Sequence, residues 1–294
     1  MIKLIACDMD GTLLDSHHNL SDVNVLAIQS AIRSGIHFLI ATGRDYVNVK
    51  NILDAHDLHC GCILLNGAQY IDEREQIIEE IALDKVQAKM ICDELDQASL
   101  YYEIMSSNET YSPHEISALA LDFRQRLRLN GKISEQELDD LLFDNSFLKR
   151  IKPIDGMQSF LDLNLPILKI EAFRYRCEAV EEVRMHLNQR EEINVASSFA
   201  DNIEITHHHA SKGEMLEKVI HHLGLVHNEI MVIGDSNNDV SMAKRFPNSV
   251  AMRNASDELR KASTMITDSN DDDGVARIIF RTIEQNKKLK NFNC

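Results

Sequence analysis

Short apolar runs alternate along the chain with longer stretches whose apolar residues recur every three or four positions. Residues 3–7 (KLIAC), 37–41 (HFLIA) and 62–65 (CILL) predict strands buried on both faces, the pattern of a parallel sheet covered by helices. Residues 22–34 predict a helix, with Ser21 as N-cap and Gly35 just past its end. Residues 70–80 read as a small hairpin. After Leu83 the rhythm changes. Helices are expected at 84–97, 114–130, 135–143 and 178–189, and strands at 100–105, 168–173 and 194–199. The first rhythm then resumes with helix 212–223, strand 229–233 (EIMVI), helix 239–245, strand 249–252, helix 257–261, strand 264–267 and a final helix from about 275. The pattern predicts an α/β protein with a doubly wound parallel-sheet core, 1–83 and 201–294, interrupted by a separate α/β domain, 84–200.

The 294 residues hold 31 Lys+Arg against 47 Asp+Glu, a net charge of −16. That balance argues against a broad grip on nucleic acid or anionic lipid, yet allows a local cationic pocket for a small anion. No apolar run approaches the roughly 20 residues of a membrane span, and Asp8 and Asp10 interrupt the N-terminus too early for a signal peptide. Six cysteines lie scattered without a C-x-x-C pair, as expected of reduced thiols in a cytoplasmic protein.

Four segments carry chemistry. Asp8-Met9-Asp10-Gly11-Thr12 follows the first strand directly, where open α/β sheets bind ligands. Side chains two apart in an extended segment point the same way, so both carboxylates are expected in one site. A solvated turn capped by Asp is the alternative for this pair alone. Gly234-Asp235-Ser236-Asn237-Asn238-Asp239 follows strand 229–233 and adds carboxylates and amides at the same edge, a donor set for a hard cation such as Mg²⁺. Ala41-Thr42-Gly43-Arg44 offers a hydroxyl and backbone N–H groups to an anion, with a turn capped by Thr42 as the alternative for this segment alone. Lys212 opens a helix, where a cation is unfavourable, so it either has a partner or lies on the surface.

In this order the four segments resemble the motif set of the haloacid dehalogenase superfamily, and the long insertion is similar to the large cap of its Cof-type branch. The resemblance extends to Asn66-Gly67-Ala68 and to Asp273-Gly274-Val275-Ala276. It implies a Mg²⁺-dependent phosphatase. Asp8 would attack phosphorus, giving an aspartyl-phosphate. Asp10 would protonate the leaving alcohol and then activate water. Mg²⁺ would sit on Asp8, the backbone carbonyl of Asp10, and Asp235. Met9, Thr42, Gly43, Lys212 and Asn238 would hold the phosphoryl oxygens, with Thr12 and Asp239 behind them.

The implied substrate is a small phosphorylated metabolite, with sugar phosphates first, and a monomer or homodimer is expected. The cap would choose the leaving group, with Tyr101, Glu103, Glu171 and Arg174 as candidates to meet it. A phosphomutase using the same aspartates is the nearest rival. A silent binding protein is the other, although it has no chemical need for Asp8, Asp10, Thr42, Lys212 and Asp235 together.

Other features point away from rival chemistries. His207, His208 and His209 are consecutive and are expected to diverge rather than converge on one ion. The acidic run 268–274 fails the spacing of a calcium loop, and P-loop and dinucleotide fingerprints are lacking.

Overall fold

The computed structural model describes residues 1–129, 146–175, 178–197 and 201–292. The chain divides into two units, one made of Met1–Glu80 with Ala210–Cys294, the other of Ile81–His209. Its strands are β1 Leu4–Cys7, β2 His37–Ala41, β3 Gly61–Leu64, β4 Gln69–Ile71, β5 Ile77–Glu80, β6 Tyr101–Met105, β7 Thr110–Ser112, β8 Ile151–Pro153, β9 Lys169–Phe173, β10 Ile193–Ala196, β11 Asn202–His207, β12 Ile230–Gly234, β13 Asn248–Ala251 and β14 Met265–Ile266.

The first unit is an α/β fold around a sheet of order β14-β13-β12-β1-β2-β3-β4-β5. Strands β14 through β3 are parallel, while β4 and β5 add the expected hairpin in antiparallel fashion. Every residue of β1, β3 and β12 is buried, the burden of a sheet covered on both faces. Burying each of their Leu or Ile side chains contributes about 1.5–3 kcal/mol. The chain runs from β1 outward to β2 and β3, then returns to build β12, β13 and β14 on the other side. The strand order therefore reverses between β1 and β12, which places the loops after Cys7 and Gly234 side by side. Ser21 caps the helix Asp22–Arg33 by accepting the Asn24 N–H at 3.1 Å, as its position predicts. Buried Asn24 then donates to the Leu13 carbonyl and accepts from the Ala276 N–H, joining the first loop to the final helix Gly274–Phe292.

The second unit has its own sheet, of order β10-β11-β9-β6-β7-β8. One face is apolar: Tyr102, Ile104, Ile170, Ala172, Ile203 and Ile205 pack with residues of the helices Lys85–Gln97, Gly156–Asp162 and Ala179–Leu187. Glu103, Lys169, Glu171 and Glu204 occupy the alternate positions, with Glu171 in register with both Glu103 and Glu204. Buried Lys169 lies 3.0 Å from Glu171 and 2.8 Å from Glu204. Tyr101 packs under the Arg174 guanidinium at 4.6 Å.

The return to the first unit comes later than residue 201. Strand β11 pairs with both β9 and β10, so residues 201–209 fold with the second sheet. The histidine run closes β11, and its rings gather instead of diverging, with centroids 3.9–5.5 Å apart. The strand ends at His207, so the alternation that would separate the rings stops there. Helix 135–143, Cys177 and Cys294 lie outside the described residues, as do the ends of the expected helix 114–130 and strand 194–199. Cys7, Cys62 and Cys92 are buried free thiols. Among the described residues no helix is long and apolar enough to cross a membrane.

Candidate active site

Strand β1 ends at Cys7, and the chain turns at Met9–Leu13. The turn depends on Gly11, whose φ is +74°. A Cβ there would also lie 2.4 Å from an Asp235 carboxylate oxygen, so only glycine lets the first loop approach the loop after β12. Asp8 is 4% exposed, and its Oδ1 accepts from Lys212 Nζ at 2.6 Å. Lys212, 1% exposed, begins the helix Lys212–Leu223 and donates equally to Asp239 Oδ1 at 2.7 Å. The partner that its awkward place on the helix called for is thus a pair of carboxylates. Asp239 uses its other oxygen to accept the backbone N–H groups of Asp235 and Ser236, fixing the loop that presents Asp235. Thr12 Oγ1 donates to Asp235 Oδ1 at 3.1 Å.

Among the described residues, Asp8, Asp235 and Asp239 form a group whose carboxylate oxygens lie within 4.8 Å of one another. Three carboxylates face one ammonium, a surplus of two negative charges matched to a divalent cation of hard, oxygen-seeking type. The electrostatics agree. Burial pushes the Asp8 carboxyl up, reinforced by Asp239 and Asp235 against the pull of Lys212. Burial, then the Asp239 charge, pushes Asp235 up to about 6, although Thr12 opposes it. Burial works against the charge on Lys212, but Asp239 and Asp8 outweigh it and hold its pKa above the usual lysine range.

The Asp10 side chain does not join this acidic group and has partners of its own. The strand's alternation has ended at Cys7 and does not govern Asp10. Instead Arg44 grips it with both arms of the guanidinium, Nε to Oδ2 at 2.7 Å and Nη2 to Oδ1 at 2.5 Å, while His18 Nδ1 stands 3.2 Å away. Burial alone would raise the Asp10 carboxyl. The hydrogen bonds from His18 and Arg44 overcome it and hold Asp10 well below the usual carboxylate range. Arg44 is the third member of the T-G-R segment, whereas nothing in the sequence around His18 marks it as a partner of Asp10.

The remaining expected residues cluster around the same sheet edge. Thr42 is buried at the end of β2, and its Oγ1 accepts from the Arg44 backbone N–H. Gly43 follows it, and Met9 is fully buried. Asn238 donates from Nδ2 to Asn66 Oδ1 at 3.2 Å. The structure thus gathers Asp8, Asp235, Asp239, Lys212 and Thr12 into one hydrogen-bonded group and sets Asp10 with Arg44 beside it. All of these belong to the first unit.

The family model of the haloacid dehalogenase-like hydrolases matches residues 5–279. A 5-amino-6-(5-phospho-D-ribitylamino)uracil phosphatase of Bacillus subtilis is 32% identical over 282 residues, covering 95% of this chain and 97% of its own. A second phosphatase of that name from the same organism is 29% identical, covering 95% and 94%. The structure of a haloacid dehalogenase-like hydrolase from B. subtilis superposes with a TM-score of 0.83 at 28% identity, over 95% of this chain and 99% of that one. With the motif loops assembled at one sheet edge and the match running almost end to end, the chain belongs to the haloacid dehalogenase-like hydrolases and, with its relatives, to the phosphate-ester hydrolases among them.

Proposed function

We propose that the protein is a Mg²⁺-dependent phosphatase that hydrolyses the phosphate monoester of a small metabolite bearing a sugar or sugar-alcohol chain. The observation that carries this reading is Asp8, buried against Lys212 at 2.6 Å in a group with Asp235 and Asp239. A carboxylate so placed is desolvated and aimed, which a nucleophile needs. Mg²⁺, held by Asp8, Asp235 and the backbone carbonyl of Asp10, would shield the negative charge between carboxylate and phosphate.

In the first half-reaction an Asp8 oxygen forms a bond to phosphorus, and the bond from phosphorus to the ester oxygen breaks. Asp10 gives the departing alcohol its proton. Lys212, Asn238, Thr42 and the N–H groups of Gly43 and Met9 hold the equatorial oxygens. In the second half, water attacks phosphorus, Asp10 takes its proton, and Asp8 is released with inorganic phosphate. The Arg44 clamp keeps Asp10 ionised, the form required of the base in this second half. For the first half the clamp must loosen so that Asp10 can carry a proton.

The B. subtilis relatives make 5-amino-6-(5-phospho-D-ribitylamino)uracil the first compound to assay. The test is phosphate release from this compound, from hexose and pentose phosphates and from p-nitrophenyl phosphate, with Mg²⁺ and after EDTA. Release with Mg²⁺ and loss with EDTA is expected. Phosphate returned to another position of the substrate, with none set free, would favour a mutase. Full activity of rigorously metal-free protein would remove the metal from the reading.

A further inference from the structure

Residues Leu65, Asn66 and Gly67, between β3 and β4, have φ values of 52°, 58° and 103°. Three consecutive left-handed residues, all buried, are costly, since only glycine adopts that region freely. Such backbone persists where its surroundings over-determine it. Here they do. The Leu65 N–H donates to the Arg44 carbonyl and the Asn66 N–H to the Thr42 carbonyl, both at 3.1 Å. A Cβ on Gly67 would lie 2.3 Å from the Ser211 carbonyl and 2.8 Å from the Lys212 nitrogen, so the segment presses on the start of helix Lys212–Leu223. The Asn66 side chain reaches the loop after β12 through Asn238. Three residues therefore touch the three loops that carry Thr42, Lys212 and Asn238.

We infer that Asn66 is a positioning residue for phosphate binding, orienting the Asn238 amide towards the phosphoryl group; this rests on the phosphate-site reading above. The backbone at 66 does not require an amide, because glycine would satisfy its φ with less strain. Glycine lacks the amide altogether, including the oxygen that accepts Asn238 Nδ2. At its other end the Asn238 amide oxygen accepts from Ser236 Oγ at 2.9 Å. The amide is thus held at both ends, and a flip would set its oxygen against the Asn66 oxygen. Its nitrogen has two N–H groups. Asn66 takes one, and the other is assigned to the anion.

The test uses the full-length protein, with Asn66→Gly, Asn238→Ala and the double variant. Inhibition by inorganic phosphate and the KM and kcat for p-nitrophenyl phosphate are read, with thermal melting as the check on folding. Asn66→Gly should still melt cooperatively, because the relief of its left-handed backbone offsets part of what the lost side-chain hydrogen bonding costs. It should weaken phosphate inhibition and raise KM by about 3- to 10-fold, the range for one hydrogen bond, with a smaller change in kcat. On the Asn238→Ala background it should add nothing. If Asn238→Ala weakens phosphate binding while Asn66→Gly leaves it unchanged, Asn66 is only a turn residue and the inference falls alone. An equal loss on both backgrounds would overturn the route through Asn238. If Asn238→Ala itself leaves phosphate binding intact, the phosphate-site reading falls and takes the inference with it. Asn66→Asp gives a second readout should the glycine variant melt early. It tolerates the left-handed backbone but sets a carboxylate behind the anion, so it should weaken phosphate inhibition, and unchanged inhibition would again count against the role.

Discussion

Asp8 and Asp10 are separated by one residue, yet their surroundings drive them in opposite directions. Burial pushes Asp8 towards its neutral form, whereas Arg44 and His18 hold Asp10 ionised. Asp8→Asn should therefore keep the fold, since Lys212 retains Asp239 and the amide relieves a crowded negative site. Turnover should fall by at least about 10³-fold, as expected for a lost nucleophile. Near wild-type phosphate release by the folded variant would remove Asp8 from that role. Asp10→Asn should slow alkyl phosphates by about 10²–10⁴-fold and p-nitrophenyl phosphate less in the first phosphoryl-transfer step, because that leaving group needs little protonation. Equal losses for both in single-turnover measurements would be inconsistent with Asp10 as the acid.

Asp235 adds a pH dependence. Its carboxyl is pushed up to about 6 in the folded protein, above the unfolded value near 4. In metal-free protein its stabilising effect is fully present below pH about 4 and is lost as pH rises through about 6. A cation needs the carboxylates, and Asp8 is pushed up as well, so acid opposes it: Mg²⁺ affinity should drop by at least about tenfold per pH unit below 6. Calorimetric titration at pH 5 and 7.5 measures this, and equal affinities would contradict the assignment of Asp235 as a ligand. The acidic residues of this site were legible in the sequence because each follows a buried strand whose end is marked by glycine or aspartate. The Arg44–Asp10 clamp and the Asn66–Asn238 contact were not. They join loops from different strands, and their pairing depends on strand order, which local spacing does not encode.

The elements of the first unit were legible for the same reason that they are stable. A fully buried parallel strand must be an unbroken apolar run, and LIAC, IMVIG and the FLIA that follows exposed His37 are such runs. The second unit hid more. β7 and β8 have three residues each, too short for a period to show. β11 reads Asn-Ile-Glu-Ile-Thr-His, a clean alternation, but it follows β10 so closely that one strand was expected where two lie antiparallel. That alternation puts Glu204 on a face with Glu171, and Lys169 answers both. Lys169→Met should destabilise the second unit by about 3–5 kcal/mol, because it strands buried Glu204 without its cation. Adding Glu204→Leu should recover much of the loss. Hydrogen exchange of the β9 amides reports on this unit directly, and wild-type protection in Lys169→Met would show that the pair is not required there.

The candidate site residues fall in one unit of the chain, and the insertion forms the other. Asp8, Asp10, Thr42, Lys212, Asn238, Asp235 and Asp239 all fall within Met1–Glu80 and Ala210–Cys294. The sheet beneath them is built of β1–β5 and β12–β14, and among the described residues none of its strands comes from Ile81–His209. The first unit should therefore fold when Ile81–His209 is replaced by a short flexible linker. If the insertion chooses the leaving group, as its family resemblance implies, removal should separate the two functions. Acetyl phosphate, whose leaving group is minimal, should still be hydrolysed within about tenfold of the intact rate, because every residue proposed to hold its phosphoryl group belongs to the first unit. Esters with larger leaving groups should lose their ranking and converge on a common low rate, because binding energy from the remote part of the substrate no longer contributes to the reaction. Cooperative melting and circular dichroism must first show that the shortened chain is folded. A folded core that ranks sugar phosphates and the ribitylaminouracil ester as the intact protein does would place specificity in the first unit and leave the insertion without that task.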